Sequence, residues 1–154
     1  MTRLSKTVFY VFVLVGAANS QVVSANPGTM KRVLDDVSVE YATCAAYFEI
    51  VVGAVFDEDA DTNTLKQQYS QVAHAAREKA IVIAQVFRSR ELAEKITKSR
   101  VEMAAKSMLD DIGNDLANVE ILISEHLEAC KRTMDDPSTV LDEKYAEAMH
   151  GSTD

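Results

Sequence analysis

The sequence predicts an all-α fold: an antiparallel bundle of three long helices, four if Gly113 makes a further turn, plus a short C-terminal helix and one disulfide. Three observations carry this. Apolar residues recur every three or four positions through most of the chain behind residue 25, which is the spacing of one helix face. No stretch alternates convincingly as a strand does. The two cysteines, Cys44 and Cys130, fall on separate stretches with the helical spacing.

Residues 1–25 read as a secretory signal peptide. Arg3 and Lys6 give a basic start, Val8 to Ala18 an apolar core, and small residues at Val23-Ser24-Ala25 a cleavage site after Ala25; Ala18-Asn19-Ser20 is the other exit. Asn26-Pro27-Gly28 keeps the later site extended. The apolar core is about half the roughly 20 residues that span a bilayer. The later apolar runs are short and broken by charge, so no transmembrane segment is expected in the mature chain.

The first helix runs from Thr29 to Phe56, with Met30, Val33, Val37, Tyr41, Cys44, Phe48 and Val51 in phase and Asp35 and Asp36 near its start. Ala42, Ala45 and Ala46 beside Cys44 admit a close neighbour. Residues 57–63 form a polar connection. A second helix follows, with Leu65, Tyr69, Val72, Ala76, Ala80, Ile83 and Phe87 on one face. Between Arg88 and Arg100 the stripe thins to Leu92 and Ile96, and Glu91–Lys95 and Glu94–Lys98 have the favourable four-residue spacing. Ser99-Arg-Val-Glu102 has the form of a capping box, which places a break near residues 97–99. From Val101 to Met134 one long stripe carries Met108, Ile112, Leu116, Val119, Ile123, Leu127 and Cys130, interrupted only by Gly113-Asn114. Asp135-Asp136-Pro137 stops it. Val140, Leu141, Tyr145 and Met149 make a short last helix, which closes a bundle domain spanning 26–150; residues 151–154 are a frayed tail.

A Cys44–Cys130 disulfide tests this layout. With turns near residues 60 and 98, a rise of about 1.5 Å per residue sets Cys130 roughly 15 Å above Cys44. A further turn at Gly113 drops it below. Moving the second break a few residues later, towards Ser107, levels the pair. In an exported chain two cysteines read as one bond, and closing so long a loop is worth about 4–5 kcal/mol in the chain-entropy model.

The charge is −8 over the whole chain and more negative without the leader, whose only charged residues are Arg3 and Lys6. Such a surface repels nucleic acid and anionic lipid alike. Of the chemistry-bearing patterns, the connection Asp57-x-Asp59-x-Asp61-x-Asn63 matches the first four ligand positions of an EF-hand calcium loop. Thr62 stands where the loop needs glycine, and Gln68 where it needs a bidentate glutamate. A solvated connection that caps the next helix is the plainer reading. His74 and Glu78 share a helix face, as a surface pair does, and the three histidines do not cluster. No catalytic serine elbow, phosphate-cradling glycine loop or zinc-protease helix occurs, so an enzyme is not expected and no cofactor is implied. Tyr41, Tyr47, Phe48 and Phe56 lie on more than one face of the first helix. Core packing explains most of them; an aromatic partner surface at the bundle's edge, Tyr47 above all with Tyr41, is the sharper reading.

Tyr41-Ala-Thr-Cys44-Ala-Ala-Tyr47-Phe48, together with Cys130-x-x-x-Met134-x-x-Pro137, resembles a loose group of uncharacterised exported all-helical proteobacterial proteins. The resemblance implies a helical periplasmic domain with one disulfide and supplies no activity. A more distant analogy is to small periplasmic acid-stress chaperones, without matching local sequence. The expectation is a periplasmic or secreted non-enzymatic domain that binds an unidentified protein or serves as an accessory subunit of the cell envelope. A stress chaperone and a metal- or ligand-binding bundle are the alternatives.

Overall fold

The computed structural model describes residues 26–55 and 63–150. The signal peptide expected at 1–25, the acidic connection with Asp57, Asp59 and Asp61, and the tail at 151–154 lie outside the described residues. Five helices and no strand are present among those described: α1 (Pro27–Val55), α2 (Asn63–Ala84), α3 (Arg90–Asp111), α4 (Val119–Asp135) and α5 (Pro137–His150). The all-α bundle and its disulfide are as expected, and of the two layouts left open it is the one with a further turn at Gly113 that is present. The break near 97–99 is displaced.

α1 begins earlier than Thr29. The Asn26 side chain accepts the Gly28 N–H at 3.0 Å and its carbonyl accepts the Met30 N–H at 3.1 Å. Asn26 thus caps the helix and Pro27, whose missing N–H costs nothing there, opens it. Asn26-Pro27 is a helix start and not an extended spacer.

The other helices gather around α1, which packs against all four of them and most extensively against α2. From Tyr41 to Phe48 every residue except Thr43 is buried. A helix buried on nearly all faces must be apolar all round. Pro27–Ala54 is accordingly long and apolar enough to cross a membrane, which corrects the expectation that nothing behind the leader is. Of its most apolar window, 56% is buried inside the bundle, so packing accounts for the composition. Alanines set the close approach: Ala42, Ala45 and Ala46 on α1 and Ala73, Ala76 and Ala80 on α2 are all buried. Without long side chains between them, two helix backbones can come together and Ser38 Oγ can donate to the Ala80 carbonyl at 3.0 Å.

The break expected near 97–99 falls at Arg88-Ser89 instead. A single 3₁₀ turn, Gln85–Phe87, ends α2; Arg88 and Ser89 are extended, and Ser89 Oγ accepts the Leu92 N–H. Ser99 lies mid-helix. The side-chain pairs shift with it, to Arg90–Glu94 and Lys98–Glu102 rather than Glu91–Lys95 and Glu94–Lys98.

The long stripe from Val101 to Met134 is not one helix. Gly113 (φ 67°) and Asn114 (φ 57°) are both left-handed, a conformation glycine and asparagine tolerate best. The Gly113 N–H donates to the Asp110 carbonyl and the Asn114 N–H to that of Leu109, closing α3. Asp115 accepts the Ala117 N–H to open a 3₁₀ turn, Leu116–Asn118, and α4 follows. An earlier second break combined with this third turn reconciles the cysteine heights that a later break was expected to level. Asp136 then caps α5, accepting from the Thr139 N–H and from the Ser138 and Thr139 hydroxyls, with Pro137 at the first helical position. Those hydrogen bonds, led by the Thr139 hydroxyl, hold its pKa below the ordinary value.

Candidate functional site

α2 and α4 flank α1 but form no extended contact with each other. Between them lies an open cleft of about 400 Å³, lined by Phe48 of α1, Gln68, Tyr69 and Val72 of α2, and Leu127, Lys131, Met134 and Asp135 of α4. Each wall follows from helix geometry. Tyr69 and Val72 are three apart on α2; Leu127, Lys131 and Met134 follow one another at four and three on α4, so each set shares a face. Phe48 is the floor, buried and stacked edge-on against Tyr69 at 6.0 Å between ring centroids. Tyr69, Val72, Leu127 and Met134 are half-buried. Gln68, Lys131 and Asp135 are exposed at the mouth. The cleft therefore has an apolar interior and a polar rim, and Lys131 makes no ion pair among the described residues.

Beneath the floor, Tyr47 packs on Phe48 (5.0 Å) and near His126 of α4 (6.0 Å). Burial pushes the Tyr47 phenol up to about 12, so it stays neutral at physiological pH. Tyr41 sits under Lys79, whose ammonium lies 5.4 Å from the ring centroid and also donates to the Met134 carbonyl at 3.3 Å. That contact ties α2 to the end of α4 beside the cleft. Tyr41 and Tyr47, expected as an exposed partner surface, are only 2% and 1% exposed. This is a correction: α1 is the central helix, so its faces that looked superfluous to a three-helix core are covered by α4 and α5. Tyr69 of α2, with Phe48 below it, lines the surface cleft instead.

Cys44 and Cys130 are brought together as expected, with Cα atoms 5.2 Å apart. Both are buried, and the bond fixes α4 against α1 below the cleft. Asn63, the one described member of the calcium candidate, is exposed at the first position of α2. Among the described residues no group of three or more histidine, cysteine or carboxylate side chains is placed to hold a metal. His74 is exposed and lines a shallow depression with Glu49, Ser70 and Arg77, where Arg77 and Glu49 pair.

Arg88 donates to Asp35 at 2.7 Å and Arg100 to the same carboxylate at 3.2 Å; Arg100 also donates to Ser38 Oγ at 3.1 Å. Desolvation alone would raise the Asp35 pKa, but the two guanidinium hydrogen bonds outweigh it and hold the carboxyl below its ordinary value. These two arginines are structural: they fasten the α2–α3 corner and α3 onto the start of α1. At that corner Val82, Val86, Phe87 and Leu92 are exposed.

Sequence reasoning missed the cleft, although it named Phe48, Tyr69, Val72, Leu127 and Met134 as core stripe residues. The available signal was Gly113-Asn114: a turn there sends α4 back along α1, opposite α2. Comparison with known proteins found no match among family descriptions, curated proteins or solved structures.

Proposed function

We propose that this chain is an exported, non-enzymatic domain that binds another protein of the cell envelope, and that it binds through the α2–α4 cleft. The observation that carries the reading is the cleft itself, an apolar trough left open between two helices. Apolar interior with polar rim is how protein interfaces are built. The disulfide fits an oxidising compartment, as does the leader read at residues 1–25.

The test is site-specific photo-crosslinking in the native envelope. A photoreactive residue replacing Gln68 or Lys131, both exposed at the mouth, is expected to capture a discrete protein. The same residue replacing Lys106, exposed on α3, is expected not to. Equal labelling from all three positions, or none from the cleft, overturns the reading.

A further inference from the structure

We infer that α4 and α5 form a hinged flap on an α1–α3 core, latched by Cys44–Cys130 and released when a small dithiol reduces that bond. The inference goes beyond the protein-binding reading and does not depend on it.

The division lies in the packing. α1, α2 and α3 each pack against the other two. α4 and α5 pack against α1 and, at their shared corner, against each other, and no more than marginally against α2 and α3. Polar ties divide the same way. Within the first three helices Ser38 donates to the Ala80 carbonyl, Arg88 and Arg100 hold Asp35, and Arg77 pairs with Glu49. The flap has its own: Arg132 of α4 pairs with Glu143 of α5 at 3.5 Å. Lys79, donating to the Met134 carbonyl, crosses the division. A helix pair with one extensive neighbour is the kind of unit that opens below the global unfolding limit.

The hinge is the α3–α4 turn. Gly113 and Asn114 are left-handed, and every residue from Gly113 to Asn118 is exposed. The chain can swing there without displacing a buried side chain.

The latch sits on the face of α1 that the flap covers. Glu40, Cys44 and Tyr47 follow one another at four and three along α1, so they share that face. Each meets the flap: Glu40 pairs with Lys144 at 2.9 Å, Cys44 is bonded to Cys130, and Tyr47 packs near His126. While the bond is closed, Cys130 cannot leave this face. Once it opens, packing alone opposes the freedom that the flap gains.

The two cysteines line a cavity of about 150 Å³ open to the surface, with His126, Arg132 and Thr133 of α4 beside them. It has room for a small dithiol and none for a folded oxidoreductase. A thiolate of the dithiol attacks one sulfur of the bond, and the other cysteine leaves as a thiolate and takes up a proton. The second thiol of the reagent then displaces the remaining protein sulfur, and the reagent closes as a cyclic disulfide. Two electrons and two protons pass to Cys44 and Cys130.

The experiment is hydrogen exchange, read segment by segment by mass spectrometry, on the mature protein oxidised and after dithiothreitol treatment without denaturant. Reduction is expected to speed exchange in α4 and α5 together by at least ~100-fold, with the slowest amides of α2 and α3 changing less than ~10-fold. The double variant Cys44→Ser, Cys130→Ser, which cannot re-form the bond, is expected to exchange as the reduced protein does. A gain shared equally by all five helices overturns the flap, because the bond then holds the whole domain. So does no gain in α4 and α5, or a gain in only one of them. A bond that dithiothreitol reduces only in denaturant overturns the release step. The crosslinks from Gln68 and Lys131 are read on the oxidised protein, so none of these outcomes touches the protein-binding reading.

Discussion

Asp35 is held by two arginines that come from 53 and 65 residues further along the chain. Its side chain is 27% exposed, so solvent screens the pairing but does not remove it. Asp35→Asn is expected to cost about 1–2 kcal/mol at neutral pH, because it leaves two partly buried guanidinium groups facing a neutral amide. The sign of the pH dependence follows from the lowered pKa. A carboxyl that ionises more readily folded than unfolded contributes its stability above the ordinary value of 3.8, and loses it as pH falls through the folded value. Denaturation midpoints of the two proteins should therefore differ at pH 7 and converge below the ordinary carboxylate range. A gap that stays constant on acidification would show that charge is not what Asp35 supplies. Nothing in the sequence marks this carboxylate among the acids, since its partners are distant and its neighbour Asp36 looks identical but is exposed.

The helices themselves were legible because an apolar stripe of period 3.6 does not depend on what it packs against. Their ends were less so, and α3 shows why. Its buried face is Ala93, Thr97, Val101 and Met108. The sequence draws the eye to Leu92 and Ile96, one position out of phase, and Leu92 is 46% exposed. Where helices approach on alanine, the large residues are not the core ones, so the true stripe runs unbroken through Ser99 while the visible one appears to fail there. Ser99-x-x-Glu102 fits a capping pattern, but a cap also needs extended backbone at the serine, and Ser89 has it (ψ 155°). Two substitutions separate the readings. Ser89→Ala should destabilise by about 1 kcal/mol through loss of the cap. Ser99→Ala should be neutral or stabilise by up to about 0.5 kcal/mol, as alanine does in an exposed helix interior. Thermal denaturation in which Ser99→Ala proves the more damaging would put the break back near residue 99. The cleft was unreadable for a related reason. Its walls, Tyr69–Val72 and Leu127–Met134, are plain in the stripes, but whether they face one another depends on how many turns separate them. That number rests on the backbone of two residues, Gly113 and Asn114.

Across the molecule, the Cys44–Cys130 bond joins the central helix to α4, after three intervening turns. The pair Cys44→Ala, Cys130→Ala should lower unfolding free energy by about 4–5 kcal/mol, a large share of a typical total of roughly 5–15 kcal/mol. Denaturant unfolding of this variant against oxidised wild type measures it; a loss under about 1 kcal/mol would mean that α1–α4 packing alone holds the closed arrangement. The same variant should weaken binding at the cleft, since one wall is then tethered only by packing. The central position of α1 was not anticipated. The 101–134 stripe is the longer in the sequence, yet it is split in two, whereas α1 touches every other helix.

The position of α1 also orders events in time. Of the described helices it is the first to leave the ribosome, and α4 and α5, which complete its coat, are the last. At about 5–20 residues per second, the faces of α1 that α4 and α5 cover wait some seconds for that cover, and the cysteine on it waits as long for its partner. A newly made chain thus passes through an interval in which a segment apolar enough for a bilayer is only partly covered, by α2 and α3. Chains truncated after α3 would never leave that interval, and their fate would be set by whatever holds or degrades apolar helices in the meantime.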